Sequence, residues 1–187
     1  AQIYFLQSEF RELIKYAGLL EDKVIPSRKL EINRMLAEAH YQLHDYFSAI
    51  PYFETYLSLK DNPDIFDYFQ VGYSYHKLSD DLNAIKYLEE IYNGGDSLQQ
   101  YAAYYLGASY LNLDKKNYAL QAFKKAANIS YSKKLQEDAF FNYIKLAFEL
   151  DLPFESTLDL IEDYLQENNS SVNKDKLKFI MVQPINL

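Results

Sequence analysis

The sequence predicts an all-α fold, an α-solenoid of stacked antiparallel helical hairpins forming one domain over 1–187. Three observations predict it. Small residues recur at Ala37, Gly72 and Gly107, at steps of 72 − 37 = 35 and 107 − 72 = 35 residues. Each anchor is followed three residues later by His40, Tyr75 and Tyr110, twelve later by Ala49, Ala84 and Ala119, and sixteen later by Phe53, Leu88 and Phe123. A period of this length marks a helical hairpin that stacks on copies of itself. The chain also has only 5 Gly and 5 Pro, with few β-branched runs, which disfavours strands. Its 49% hydrophobic content is ample for a packed core.

Taken in order, residues 1–26 form a partial repeat. Ala1, Tyr4, Leu13 and Ala17 match the tail of a copy, one step of 37 − 1 = 36 before the first full one. The full repeats span about 30–63, 64–96, 97–132 and 133–168. In the first, 30–42 reads as a helix through Leu30, Met35, Leu36, Ala37 and Ala39, and 47–59 as its return. Pro63 cannot continue that helix, and Asp64 can cap the next. The second repeat pairs 65–78 with 81–92 and closes at Asn93-Gly94-Gly95-Asp96, where glycine supplies a left-handed cap and Asp96 or Ser97 can cap the next helix. The third pairs 98–113 with 117–129. The fourth pairs 139–150 with 154–166 around Asp151-Leu152-Pro153. It has Ile144 at the anchor, and the step 144 − 107 = 37 places a two-residue insertion near 131–134. A C-terminal partial helix covers 172–187.

The small residues have a physical role. Packed helices lie ~8–10 Å apart depending on their contact side chains, and Gly or Ala at a crossing lets them approach closely. One hairpin cannot bury both of its apolar faces, so stacking is obligatory.

The stretches LAEAHYQLHDYFSAIPYF, VGYSYHKLSDDLNAIKYL and LGASYLNLDKKNYALQAFKKA resemble the tetratricopeptide repeat (TPR) family over roughly 30–167. The third copy is the most faithful, through Leu106, Gly107, Tyr110, Ala119, Phe123 and Ala126. The aromatic usual early in the first helix survives only as Tyr68, with Asn33 and Ala103 in the other copies, and the closing proline survives only as Pro63. The fourth copy is similar to the divergent repeats of bacterial envelope proteins. The resemblance implies a right-handed superhelix whose first helices line a concave face. It also implies a role in protein–protein interaction, and an envelope or periplasmic setting over the cytoplasm.

Register carried over from that family puts Glu31, Arg34, Glu38 and Tyr41 on the concave face, followed by Phe66, Phe69, Tyr73, His76 and Lys77. Tyr101, Tyr104, Tyr105, Ala108 and Asn112 come next, then Phe141, Asn142, Lys145 and Phe148. A trough of rings with scattered amides and charges suits a peptide or partner helix. The same rings can also simply pack between neighbouring first helices. His76 is the residue most suited to hydrogen-bonding in the groove.

Other functions find little support. A net charge of −8 without a basic stripe disfavours nucleic acid. No Cys is present, which removes thiol chemistry, and no stretch approaches a membrane span. His40 and His44 have metal-chelating spacing, but His40 fills the ring slot and no third ligand is evident. Asn128-Ile129-Ser130 and Asn168-Asn169-Ser170 match the glycosylation triplet, a pattern common by chance. No catalytic constellation and no cofactor signature is legible. The reading is therefore a non-enzymatic scaffold. The alternatives are an α/α-toroid carbohydrate-active enzyme, which needs more hairpins and favours Trp platforms, and a spacer or oligomerisation arm. Both ends of the array are apolar, so self-association through uncapped ends is expected unless further repeats flank the chain.

Overall fold

The computed structural model describes residues 1–19, 23, 25–91, 96–150, 154–167 and 174–181. Among them there is helix and no strand. In chain order the helices are α1 (Gln2–Leu6), α2 (Phe10–Gly18), α3 (Lys29–Gln42), α4 (Tyr46–Leu59), α5 (Ile65–Lys77) and α6 (Asp81–Leu88). They continue with α7 (Asp96–Asn112), α8 (Lys116–Ala127), α9 (Lys133–Glu149), α10 (Phe154–Glu167) and α11 (Lys174–Met181). Within each of two units, helices adjacent in sequence are adjacent in space, as in a stack of hairpins. The chain divides into two compact units, Ala1–Ile91 and Tyr92–Leu187.

Two helices differ from expectation. The helix expected over 81–92 ends at Leu88 and tightens into a 3₁₀ turn, Glu89–Ile91, that buries Ile91. The helix expected from 139 begins six residues earlier, at Lys133, because the Ser132 hydroxyl accepts from the Leu135 amide and caps it. The turn at 93–95, the break at 151–153, the triplet at 168–170 and the tail 182–187 lie outside the described residues.

The anchors behave as their size requires. Ala37 packs with Ala49, Phe53 and Val71 in a buried cluster. A β-carbon added at Gly72 would lie 2.7 Å from Leu88 Cγ, and one at Gly107 would lie 2.9 Å from three ring carbons of Phe123. In both hairpins the return helix sits so close that only hydrogen fits between.

The four hairpins whose turns lie among the described residues reverse in the same way. Seven residues after Ala1, Ala37, Gly72 and Gly107 stand Ser8, His44, Ser79 and Asp114, all with φ between 55° and 61°. The amide of each following residue bonds back to a first-helix carbonyl five positions earlier: Glu9 to Tyr4, Asp45 to His40, Asp80 to Tyr75 and Lys115 to Tyr110. The left-handed residue itself bonds three positions back. This is a Schellman closure made without glycine.

The residue after the left-handed one should cap the return helix. Asp45 accepts from the Ser48 amide at 3.2 Å and Asp80 from the Asn83 amide at 3.3 Å. The third hairpin has Lys115 there, with nearly the same backbone (φ −88°, ψ 61°, against −89°, 72° for Asp80) and no side-chain cap. Lys115→Asp is expected to stabilise the protein by about 1 kcal/mol, since the vacant cap geometry is already built. A thermal melt checks this. An unchanged midpoint would mean the backbone match is not enough.

The ring slot three after the anchor has a consistent partner fifteen after it. Tyr4 stacks on Tyr16 at 5.2 Å, His40 on Tyr52 at 5.7 Å and Tyr75 on Tyr87 at 5.7 Å, each pair within 11° of parallel. In the third hairpin that partner position is Ala122, and Tyr110 stacks on Tyr118 instead. Such pairs tie the two helices of a hairpin together.

Candidate partner-binding faces

In the first unit, Tyr41 from α3 and Phe69 and Tyr73 from α5 meet. Tyr73 stacks on Phe69 at 5.8 Å and meets Tyr41 edge-on at 6.1 Å. Tyr46, the first residue of α4, closes the cluster, 5.7 Å from both Tyr41 and Tyr73. All four rings are half-buried. Burial and the neighbouring Tyr73 push the Tyr46 phenol above its ordinary value, and its oxygen also meets His44 Nδ1 at 2.9 Å. Phe66, one turn before Phe69, stands 53% exposed. Beside these rings the Glu38 carboxylate accepts from Gln70 Nε2 at 2.5 Å and from Gln42 Nε2 at 2.6 Å, joining α3 to α5.

Two other candidates of this unit point elsewhere. Arg34 is exposed and lies over the Phe5 ring at 5.2 Å. His76 is turned to Asp81 at 3.4 Å, across the hairpin turn. Burial lowers its pKa, and the nearby Asp81 only partly offsets this. His40 and Asp45, at the same five-residue spacing, make the matching contact at 3.0 Å in the previous hairpin. A His five residues before an Asp across a predicted turn was the signal for both.

In the second unit, Tyr104 meets Tyr105 edge-on at 5.5 Å and Phe123 at 5.6 Å. Its hydroxyl donates to Asp138 of α9. Burial first, and the Asp138 carboxylate second, raise its pKa. Tyr101 is half-buried and Asn112 exposed. Phe141 packs half-buried on the cluster of Ile144, Ile161, Tyr164 and Leu177. The Asn142 side chain donates to the Asp138 backbone carbonyl at 2.9 Å, and Lys145 pairs with Glu149 at 3.7 Å. Lys145, Asn112 and part of Tyr105 thus face solvent, while Tyr104 and Phe141 divide their surface between face and core.

Sequence reasoning missed three polar knots. Glu54 of α4 accepts from Tyr75 at 2.6 Å and from Tyr87 at 3.2 Å. Burial, then the Glu54 charge, pushes the Tyr87 phenol up to about 12. Lys60 bonds Asp67 at 2.5 Å and Asp64 at 3.3 Å and lies over the Tyr56 ring. Asp64 and Asp67 form a reciprocal capping box at the start of α5. Gln100, fully buried, binds the loop that carries the predicted insertion: it donates to the carbonyls of Ile129, Ala126 and Ser132 and accepts from the Ser132 amide at 2.7 Å.

The capping carboxylates set an acid limit. Burial alone would raise Asp45 and Asp64. Hydrogen bonds from Ser48 and His40 to Asp45, and from Asp67, Phe66 and Lys60 to Asp64, outweigh it and hold both below the ordinary value. A depressed folded pKa contributes stability above the unfolded value of about 3.9, and that stability is lost as pH falls through the folded one. The denaturation midpoint is therefore expected to fall steeply below about pH 4, and less steeply in Asp64→Asn. Parallel acid limbs in the two proteins would contradict this.

Among the described residues, no three His, Cys, Asp or Glu side chains cluster as a metal site, and no helix is long and apolar enough to cross a membrane. A scan of protein-family models finds no match to the sequence, and a search of curated proteins finds none. Among solved structures, the chain is similar to the crystal structure of MamA protein, with 17% sequence identity and a TM-score of 0.69. The likeness covers 94% of this chain and 90% of that one. At that identity it is the architecture that is shared, and the chain has the TPR-type helical-repeat fold that the 35-residue period predicts.

Proposed function

We propose that the chain is a non-catalytic scaffold that holds a peptide segment or a partner protein on the first-helix face of its hairpins. A TPR-like fold is consistent with protein interaction. The observation that carries the finer reading is the ring cluster of Tyr41, Tyr46, Phe69 and Tyr73, half-buried beside the exposed Phe66. Rings of this kind offer large contact area at low conformational cost, and such residues dominate binding energy at interfaces. The Glu38–Gln42–Gln70 network beside them offers a carboxylate and amides for backbone groups of an extended segment. The bacterial envelope is the setting this reading favours, on the likeness of the fourth copy to envelope repeats.

The test is selection of a displayed random-peptide library on the purified chain. Enriched peptides are expected to lose at least about tenfold in affinity for a Phe66→Ser, Phe69→Ser double variant, with its melting temperature nearly unchanged. Failure to enrich any peptide, or equal affinity for both proteins, would remove the reading.

A further inference from the structure

Among the carboxylates on α3 and α5, Glu38 stands without a cation. Glu31 pairs with Arg28 at 2.8 Å, and Asp67 with Lys60 at 2.5 Å. No Lys or Arg among the described residues pairs with Glu38. Its two oxygens accept one neutral amide each, from Gln42 and from Gln70. Gln70 is 3% exposed, so packing fixes its amide and the amide aims the carboxylate. Two basic residues of the same helices leave Glu38 alone. Arg34, one turn before it, is drawn over the Phe5 ring at 5.2 Å. Lys77 stands seven residues past Gln70, about 10 Å farther along α5.

The rings stand where a cation on Glu38 would reach them. Glu38 and Gln70 come three residues before Tyr41 and Tyr73, so the polar bridge between α3 and α5 lies one turn, about 4.5 Å, from the Tyr41–Tyr73 contact. A cation is attracted to an aromatic ring within about 6 Å of its centroid. The same unit already holds a filled example: Lys60 bonds Asp67 while lying 5.1 Å from the centre of the Tyr56 ring. The first unit also carries most of the chain's net negative charge, which draws a basic segment toward it.

We propose that Glu38, with the Tyr41–Tyr73 pair beside it, receives an arginine side chain of the segment bound on this face. This rests on the scaffold reading above and names a residue the segment must carry. Each Glu38 oxygen has two lone pairs and uses one for its amide. A guanidinium fork can therefore bond both oxygens at once, and its flat surface can lie on a ring; a lysine offers only a point charge. Gln42 and Gln70 hold the carboxylate in place before the partner arrives, which lowers the ordering cost of binding.

The test is an NMR titration of the purified chain with N-acetyl-arginine amide, beside N-acetyl-citrulline amide, its neutral isostere. The arginine probe is expected to shift the side-chain amide signals of Gln42 and Gln70 saturably, and to bind at least about tenfold more tightly than the citrulline probe. Glu38→Gln keeps the shape without the charge and is expected to abolish that preference. The citrulline comparison needs no variant, so it holds whatever the substitution does to folding. No preference for the cation, or a preference that Glu38→Gln retains, would overturn the proposal. The peptide selection separates it from the reading beneath it. Enriched peptides that need Phe66 and Phe69 but bind Glu38→Gln equally would overturn the arginine site and leave the scaffold reading in place. An arginine preference lost in Glu38→Gln, with no peptide enriched, would do the reverse.

Discussion

Gln100→Ala is expected to cost about 3 kcal/mol, the largest single loss outside the apolar core. The side chain is fully buried and makes four hydrogen bonds to backbone between Ala126 and Ser132. Truncation leaves the Ile129 carbonyl and the Ser132 amide without this partner, each loss worth about 1–3 kcal/mol where water cannot enter, while the Ala126 and Ser132 carbonyls keep the Ile129 and Gln136 amides. Ser132 is also the cap of α9, so a loosened loop weakens the start of the next helix. In a unit of this size the melting temperature is expected to fall by roughly 10 °C or more. Gln100→Met separates the causes, because it keeps most of the volume and removes the bonds. If both variants cost under about 1 kcal/mol, water replaces the amide and the clamp account fails.

Gly107→Ala is expected to cost about 2 kcal/mol, although alanine is the better helix former by about 1 kcal/mol. The new methyl would meet the Phe123 ring at 2.9 Å, and that ring is 2% exposed, edge-on to Tyr104 and packed against Leu120 and Leu146. It has no free space into which to swing. Pairing the change with Phe123→Leu should recover most of the loss, since a smaller side chain makes room and the helix preference then favours alanine. Ala37 opposite Phe53 shows that a hairpin built around alanine is possible. The prediction concerns a hairpin already closed around hydrogen. Chemical denaturation of the original protein and the two variants decides it: no loss in the single variant, or no recovery in the double, would refute the close-contact account.

The repeat could be read from the sequence because its cause is local. A small residue at the crossing and a large one sixteen later are requirements of helix approach, and they recur wherever the approach recurs. The start of α9 was not legible, since Lys133 to Asp138 shows little apolar periodicity and only the Ser132 cap marks it. Gln100 was hidden for a different reason. The same register position is Ile65 and Leu30 in the earlier copies, so nothing repeated to draw attention to it. On the candidate faces, register alone assembled Tyr41, Phe69 and Tyr73, but left out Tyr46, which belongs to a return helix. It also could not foresee that Tyr104 binds Asp138, 34 residues away. Long-range polar pairs depend on the stacking geometry, which a period announces without measuring.

That helices touch mainly their neighbours along the chain also bears on how the protein is made. Within each unit a hairpin needs only the segments just before and after it to find its place. Chains with such short-range contacts fold quickly, because little loop-closure entropy is lost before contacts form. The N-terminal half can therefore settle while the remainder is still on the ribosome, without waiting for a distant strand or helix to complete its core.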